Sequence, residues 1–338
     1  MIRALSMKRL ISVISLLLVL LLAGAAVLAW QAWQWWRAPL ALAAETVELS
    51  IEPGTSPPMV ARQWVLAGVQ TDERALYWAF RLSGQAQRIR AGSYALQQGD
   101  SPERLLQKMV RGEELLETLR LLEGWTFAQV RAELAAQPHL RKTLWAKSDA
   151  DLMALLGQPG VAPEGRFFPD TYRYGRGVSD ITVLRQANQA MQRRLAAAWA
   201  ARAPGLPLQQ PDDLLKLASI VEKETGTEAD RAKVAAVFVN RLRIGMRLQT
   251  DPTVIYGLGD RFDGNLRKID LLTDTPFNSY TRAGLPPTPI ALPGAASLQA
   301  AANPASIKAL YFVARGAGSS EFSDTLEAHN RAVNRYQR

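Results

Sequence analysis

The sequence predicts an α+β protein in three parts: an N-terminal transmembrane helix, a small α+β subdomain and a larger mixed α+β domain. Three observations carry this reading. Residues 10–36 contain no charged side chain. Apolar–polar alternation at residues 47–51 and a second strand-like run at 89–96 enclose two segments of helical periodicity. Beyond residue 118, helical patterns at 127–136, 179–202, 214–224 and 230–242 are separated by a strand pattern and by loops rich in Pro and Gly.

The first part begins with residues 1–9, in which Arg3, Lys8 and Arg9 precede the uncharged stretch. About 21 residues, from Leu10 to Trp30, suffice to cross a bilayer at about 1.5 Å per residue. Trp30, Trp33, Trp35 and Trp36 follow at the level of the far interface, then Arg37. Positive charge ahead of the span places residues 1–9 in the cytoplasm and everything after Arg37 outside it. Residues 10–36 thus read as a single-pass anchor in the inner (plasma) membrane. The competing reading is a cleaved signal peptide, with Ala23-Gly24-Ala25 as the small-residue cleavage site. The length of the span and the Trp belt favour a retained anchor.

Residues 38–46 form a small-residue linker. Then come the strand 47–51, a turn at 53–57, helices over 59–68 and 72–83, and the strand 89–96. Asp100-Ser101 is suited to cap a helix over 102–110. A boundary falls near 111–117. Past it lie a strand at 118–122, a turn at Glu123-Gly124, and Thr126 capping the helix 127–136. Residues 144–165 read as helix, then loop. They lead into the aromatic and charged cluster from Glu164 to Tyr172, either a binding wall or a packed loop plug. The long helix 179–202 reads as scaffold.

The segment 214–224, LLKLASIVEKE, is the most informative in the chain. At about 100° per residue, Leu217, Ile220 and Val221 fall within roughly 60° of Glu224, whereas Glu222 lands nearly opposite. A carboxyl at the end of an apolar face is desolvated, which raises its pKa and keeps it protonated. A general acid needs that property, and only two His compete for the role. The alternative is a solvated residue at a fraying helix end. After the helix 230–242, residues 248–253 and 277–281 carry amides, hydroxyls and Tyr280 able to bond sugar hydroxyls. The segments 284–287 and 289–294 are rigid turns. Such loops suit a polysaccharide cleft and equally suit surface turns.

With 338 residues, 48% hydrophobic and 21% charged, the chain can bury sizeable cores. A net charge of +9 points to an acidic partner: nucleic acid, anionic lipid or an anionic wall polymer. The absence of an RNP-type motif, a C-x-x-C pattern and a long Lys/Arg run argues against nucleic acid. Zero Cys excludes disulfides, thiol catalysis and Cys-zinc sites.

The runs ASIVEKET (218–225) and VFVNRLRIGMRLQTDPTVIYG (237–257), with FNSY, GLPP and the closing His329-Asn330, resemble the endolytic murein transglycosylases, the MltG/YceG-like family. The resemblance covers essentially the whole chain. It implies a membrane-anchored enzyme that cuts peptidoglycan glycan strands internally. It also implies a LysM-like subdomain at 47–117 and a catalytic domain at 118–338. The family's catalytic glutamate matches Glu224, the residue that helical geometry also selects. Three positions depart from the family pattern: Phe277-Asn278-Ser279-Tyr280 replaces Tyr-Asn-Thr-Tyr, and Leu292 stands where Asn or Thr is often found before the last Pro-Gly.

The implied chemistry uses one carboxyl in place of the usual two. Protonated Glu224 gives its proton to the MurNAc–GlcNAc glycosidic oxygen. The carboxylate then takes the proton of the MurNAc 6-hydroxyl as that oxygen closes on C1, leaving a 1,6-anhydro end. Gln249, Asp251, Asn278 and Tyr280 are the expected substrate-binding residues, with Glu164 and Asp170 behind them. Glu222 is the second carboxylate of a hydrolytic alternative, a muramidase. No metal or cofactor is expected. Expected partners are glycan strands, the membrane and, from the family, peptidoglycan synthases. The remaining alternative is a non-catalytic wall-binding scaffold.

Overall fold

A long helix, α1 (Ile2–Arg37), opens the chain. The computed structural model describes residues 2–224, 226–316 and 318–337, residues 2–10 as backbone only. The side chains of Arg3, Lys8 and Arg9, expected at the cytoplasmic flank, and Thr225 of the ASIVEKET run lie outside the described residues. From Ile11 to Arg37, α1 is long and apolar enough to cross a membrane. The chain divides into two compact units, one that takes in α1, runs through Glu117 and includes Gly175–Gly177, the other Thr118–Tyr174 with Val178–Arg338.

In the first unit, β1 (Ala41–Leu42) pairs antiparallel with β3 (Val69–Gln70). A longer pair, β2 (Thr46–Ile51) and β4 (Gly92–Gln97), is also antiparallel, with Thr46 opposite Gln97 and Ile51 opposite Gly92. Between these strands run α2 (Pro57–Ala67) and α3 (Glu73–Leu82), and α4 (Pro102–Arg111) follows β4. The Asp72 side chain caps α3 by accepting from Ala75 N at 2.8 Å. Ser101, one of the two residues expected to cap α4, accepts from Arg104 N at 3.2 Å. Its neighbour Asp100 instead pairs with Lys108 at 2.5 Å. Trp64, Leu76, Phe80, Leu105 and Met109 bury the apolar faces of these helices in one core.

The second unit takes in most of β5 (Leu116–Arg120), from Thr118 on, and of β6 (Thr171–Gly175), with which β5 pairs. The expected helix α5 (Phe127–Ala136) is closed by a capping box of Thr126 and Gln129. Of the stretch 144–165 only α6 (Asp149–Leu155) is helical. Then come α7 (Asp180–Ala200), α8 (Pro211–Glu224) and α9 (Glu228–Arg243). The loop-rich remainder contains α10 (Asp251–Leu258), α11 (Lys268–Leu272) and α12 (Ala295–Ala302). The antiparallel hairpin β7 (Tyr311–Gly316) and β8 (Ser319–Ser323) precedes α13 (Leu326–Tyr336). α8 is the central element: α7, α9, α10 and α12 all pack on it. Its Leu214, Leu215, Leu217, Ala218, Ile220 and Val221 are completely enclosed. Burial on this scale fixes α8 firmly, and with it the residue at its end.

Candidate active site

Glu224 is the last residue of α8. The buried stripe Leu217, Ile220, Val221 leads directly to it, so its carboxyl leaves the core at the helix terminus. Burial pushes the Glu224 carboxyl above its ordinary range. The Thr250 hydroxyl opposes that shift, the negative charge of Asp251 adds to it, and the Arg241 cation reduces it. The net shift is upward.

Thr250 donates its hydroxyl to Glu224 Oε1 and is itself buried. It occupies the N-cap of α10, and the loop carrying Ser279 holds it there. Thr250 N donates to Ser279 Oγ at 2.9 Å, Thr253 Oγ1 and Ser279 Oγ lie 2.8 Å apart, and Gln249 N donates to Ser279 O at 3.1 Å. At Gln249 the backbone turns left-handed, φ +48°, the one such non-glycine among the described residues. A conformation that disfavours a Cβ persists only where its surroundings impose it, and such positions cluster at functional sites.

Glu224, Gln249, Asp251 and Tyr280 line one recess of about 380 Å³, within the roughly 300–1,000 Å³ typical of ligand sites. Tyr280 donates its hydroxyl to Asp251 Oδ1 at 2.6 Å. Burial and the Asp251 carboxylate both raise the Tyr280 pKa, so the phenol stays protonated. The lining also includes Arg241, Tyr311 and His329, none of them expected in the site. Arg241 is buried at the end of α9, with Nε donating to Leu310 O at 2.7 Å and Nη1 to Leu248 O at 2.6 Å. Its guanidinium lies 5.3 Å from the Tyr311 ring, and Tyr311 stacks on His329 with centroids 5.2 Å apart. Burial, then the Arg241 charge, lowers the His329 pKa, and its Nδ1 is enclosed with no hydrogen-bond partner among the described residues. A spacing signal for Arg241 exists in the sequence. Val234 and Phe238 precede it by seven and three residues, on the buried face of α9.

Four expected residues lie outside this recess. Asn278 is fully enclosed: its Nδ2 donates to Thr273 O at 2.7 Å and to Leu271 O at 3.1 Å, and its Oδ1 accepts from Tyr280 N at 2.8 Å. It shapes the loop that presents Tyr280. Glu222 points from the other side of α8 and accepts from Gly294 N at 2.9 Å. Glu123 stands beside it; burial and then the Glu222 charge raise the Glu123 pKa. A Cβ on Gly294 would fall 1.8 Å from Glu123 Oε1, so a larger residue there would push the Glu123 carboxyl aside. Glu164 is buried and accepts from Phe127 N at 3.0 and 3.1 Å and from the Tyr256 hydroxyl at 3.0 Å. Burial raises its pKa, against the pull of these bonds. Asp170 is exposed, accepts from Thr171 N at 2.8 Å through its side chain and from Leu121 N at 3.0 Å through its carbonyl, and thereby tethers β6 to the end of β5.

The recess therefore offers a desolvated carboxyl, a second carboxylate, an amide, a phenol and an aromatic wall. Such a set can deliver a proton and bind a hydroxylated polymer. Among the described residues, no three His, Asp or Glu side chains gather in a metal-binding group.

The model of the YceG-like family matches residues 49–335. A protein of Bacillus subtilis named endolytic murein transglycosylase is 31% identical over 313 residues, covering 86% of this chain and 85% of its own. A Streptococcus pneumoniae protein of the same name is 29% identical, covering 72% of this chain and 50% of its own. A crystal structure of a yceG-like protein from Listeria monocytogenes superposes with a TM-score of 0.54 at 28% identity, over 85% of this chain and 99% of that one.

Proposed function

The chain belongs to the YceG-like family, and from that premise we propose that it is a membrane-anchored endolytic transglycosylase of peptidoglycan, with Glu224 as its acid and base. The observation that carries this reading is Glu224 at the end of a wholly buried helix face, held by Thr250 in a recess with Gln249, Asp251 and Tyr280.

In the first step, protonated Glu224 transfers its proton to the oxygen linking MurNAc C1 to GlcNAc, and the C1–O bond breaks. The GlcNAc leaves with a free 4-hydroxyl, and positive charge develops at C1. Glu224, now a carboxylate, then accepts the proton of the MurNAc 6-hydroxyl while that oxygen bonds to C1. The 1,6-anhydro ring closes, no water is consumed, and Glu224 ends protonated as it began. Such acid–base assistance contributes about 10²–10⁴-fold. The raised pKa of Glu224 suits the first step. The Thr250 hydroxyl strengthens its bond to Glu224 as the carboxylate forms, which suits the second.

Gln249 and Tyr280 are placed to orient the sugar, and Asp251 to face the charge at C1. Asn278 acts one step back, by holding the Tyr280 loop. Glu164, Glu222 and Asp170 support the scaffold around the cleft rather than touching glycan. In this reading α1 is the retained inner-membrane anchor, residues 47–117 are the LysM-like glycan-binding subdomain, and the catalytic domain faces the periplasm beside peptidoglycan synthases. The antiparallel pair β2 and β4, with α2 and α3 between them and the short β3 between those helices, supports the LysM-like assignment.

Digestion of purified peptidoglycan in heavy-oxygen water tests the reaction. A transglycosylase incorporates no solvent oxygen into the new glycan ends. Heavy oxygen at C1 of every new end would make the protein a muramidase, and an intact polymer that retains bound protein would make it a scaffold.

A further inference from the structure

Helix α3 has two apolar faces, and only one is used. Leu76 and Phe80 are completely buried in the core of the first unit. On another face, Ala75, Trp78, Ala79 and Leu82 follow the i, i+3, i+4, i+7 spacing of a second apolar stripe. Trp78 is 53% exposed and Leu82 82% exposed. This stripe forms one wall of an apolar groove whose other wall is Trp35 and Trp36 of α1.

The groove is continuous with the helix suited to cross the bilayer, and the joint is firm. Trp35 and Trp36 pack against the core of the first unit. Leu40 N donates to Asp100 O at 2.8 Å, and Arg37 Nε lies 3.7 Å from Glu103 Oε2. No flexible tether separates the end of α1 from α3. Where Trp35 and Trp36 reach the level of lipid headgroups, Trp78 and Leu82 are carried there too. Indole rings favour that level, and Arg37 over Trp33 and Arg81 over Trp78 set cations beside it. Both guanidinium groups match the anionic phosphates of a bilayer surface.

We propose that the outer face of α3, with Trp35 and Trp36, is a membrane-docking surface that seats the first unit on the bilayer interface. The occupant is the headgroup and upper acyl-chain region of the same membrane that α1 spans. This rests on the reading of α1 as a retained anchor. Its consequence is that the first unit lies at a fixed depth against the membrane instead of ranging through the space above it.

Because the chain has no cysteine, single spin labels can be placed without background. The full-length protein is reconstituted in vesicles of phosphatidylethanolamine and phosphatidylglycerol carrying Leu82→Cys, Ser56→Cys or Leu18→Cys. Ser56 is an exposed residue beyond the Ile51 end of β2, and Leu18 is in the middle of the apolar stretch of α1. Collision with lipid-soluble oxygen and with a water-soluble nickel chelate reads the depth of each label. The expected result is lipid contact at 82, water at 56 and the deepest burial at 18. Lipid contact at 18 with water at 82 would overturn the docking surface while leaving the anchor intact. Water at all three positions would overturn the anchor as well. Spin–spin broadening at 82 would assign the groove to a second copy of the chain and reject the bilayer as occupant.

Discussion

The hydroxyl of Thr250 donates to the carboxyl of Glu224, joining the N-cap of α10 to the terminus of α8. This bond favours the ionised carboxyl, so it opposes the burial that raises the Glu224 pKa. Thr250→Val keeps the shape and removes the donor. Glu224 then holds its proton to higher pH, and the alkaline fall of kcat/KM moves to higher pH. The second step loses its hydrogen bond to the forming carboxylate, worth about 1.5–3 kcal/mol, so kcat falls by roughly 10–100-fold. A pH–rate profile of muropeptide release checks both effects.

Linkage gives a second prediction. Because the folded pKa of Glu224 is raised above its unfolded value, the folded state binds the extra proton. Stability is fully present below the unfolded pKa and is lost as pH rises through the folded pKa. Glu224→Gln removes that loss. The melting temperature of the variant should exceed that of the wild type near neutral pH, and the gap should close in acid. Scanning calorimetry across that range measures it.

Gln249 holds a left-handed backbone at φ +48°. Glycine adopts this conformation freely, so Gln249→Gly should stabilise the fold by up to about 1–2 kcal/mol while removing the amide from the recess. Gain of stability with loss of kcat/KM is the expected pair of outcomes, read by urea unfolding and glycan digestion. Gain of stability at full activity would remove Gln249 from the substrate-binding set.

Glu164 separates a structural role from a substrate-binding one. Glu164→Ala leaves Phe127 N and the Tyr256 hydroxyl without their acceptor, which costs about 1–3 kcal/mol for each buried group stranded. The expected result is a lower melting temperature with KM for glycan unchanged in the folded enzyme. A raised KM at unchanged stability would restore Glu164 to the cleft.

Glu224 was legible in the sequence because it depends on a short-range rule: helical periodicity alone sets it against Leu217, Ile220 and Val221. The cap at Thr126 and the strand β2 were legible for similar reasons, through side chain-to-backbone chemistry and period-two alternation; the pairing of β2 with β4 was not read from the sequence. Thr250 was not legible, and for Arg241 the spacing behind Val234 and Phe238 was the one signal, unused. Thr250 is 26 residues from its partner in a loop without periodicity, and no propensity encodes that meeting. Arg241 ends a helix in a run with Arg243, which resembles an ordinary solvated terminus. It is buried because Leu310, just ahead of β7, and Leu248 supply carbonyls that only the tertiary fold brings close. Small-residue α12, reading AASLQAAA, shows no apolar stripe because alanines stand on its exposed side, at 295 and 296, as well as among the residues packed on α7, α8 and α9. Asn278 illustrates the reverse case. Its polar side chain suggested sugar binding, yet the backbone carbonyls of its own loop occupy its amide.

The most direct measurement places wild type and Glu224→Gln side by side on purified peptidoglycan and weighs the released fragments by mass spectrometry. Wild type should release fragments ending in 1,6-anhydroMurNAc, each one water lighter than a hydrolysis product. The variant, still folded and still binding glycan, should release at least about 10²-fold less. Anhydro ends formed by the variant at the wild-type rate would contradict the assignment of Glu224 as acid and base.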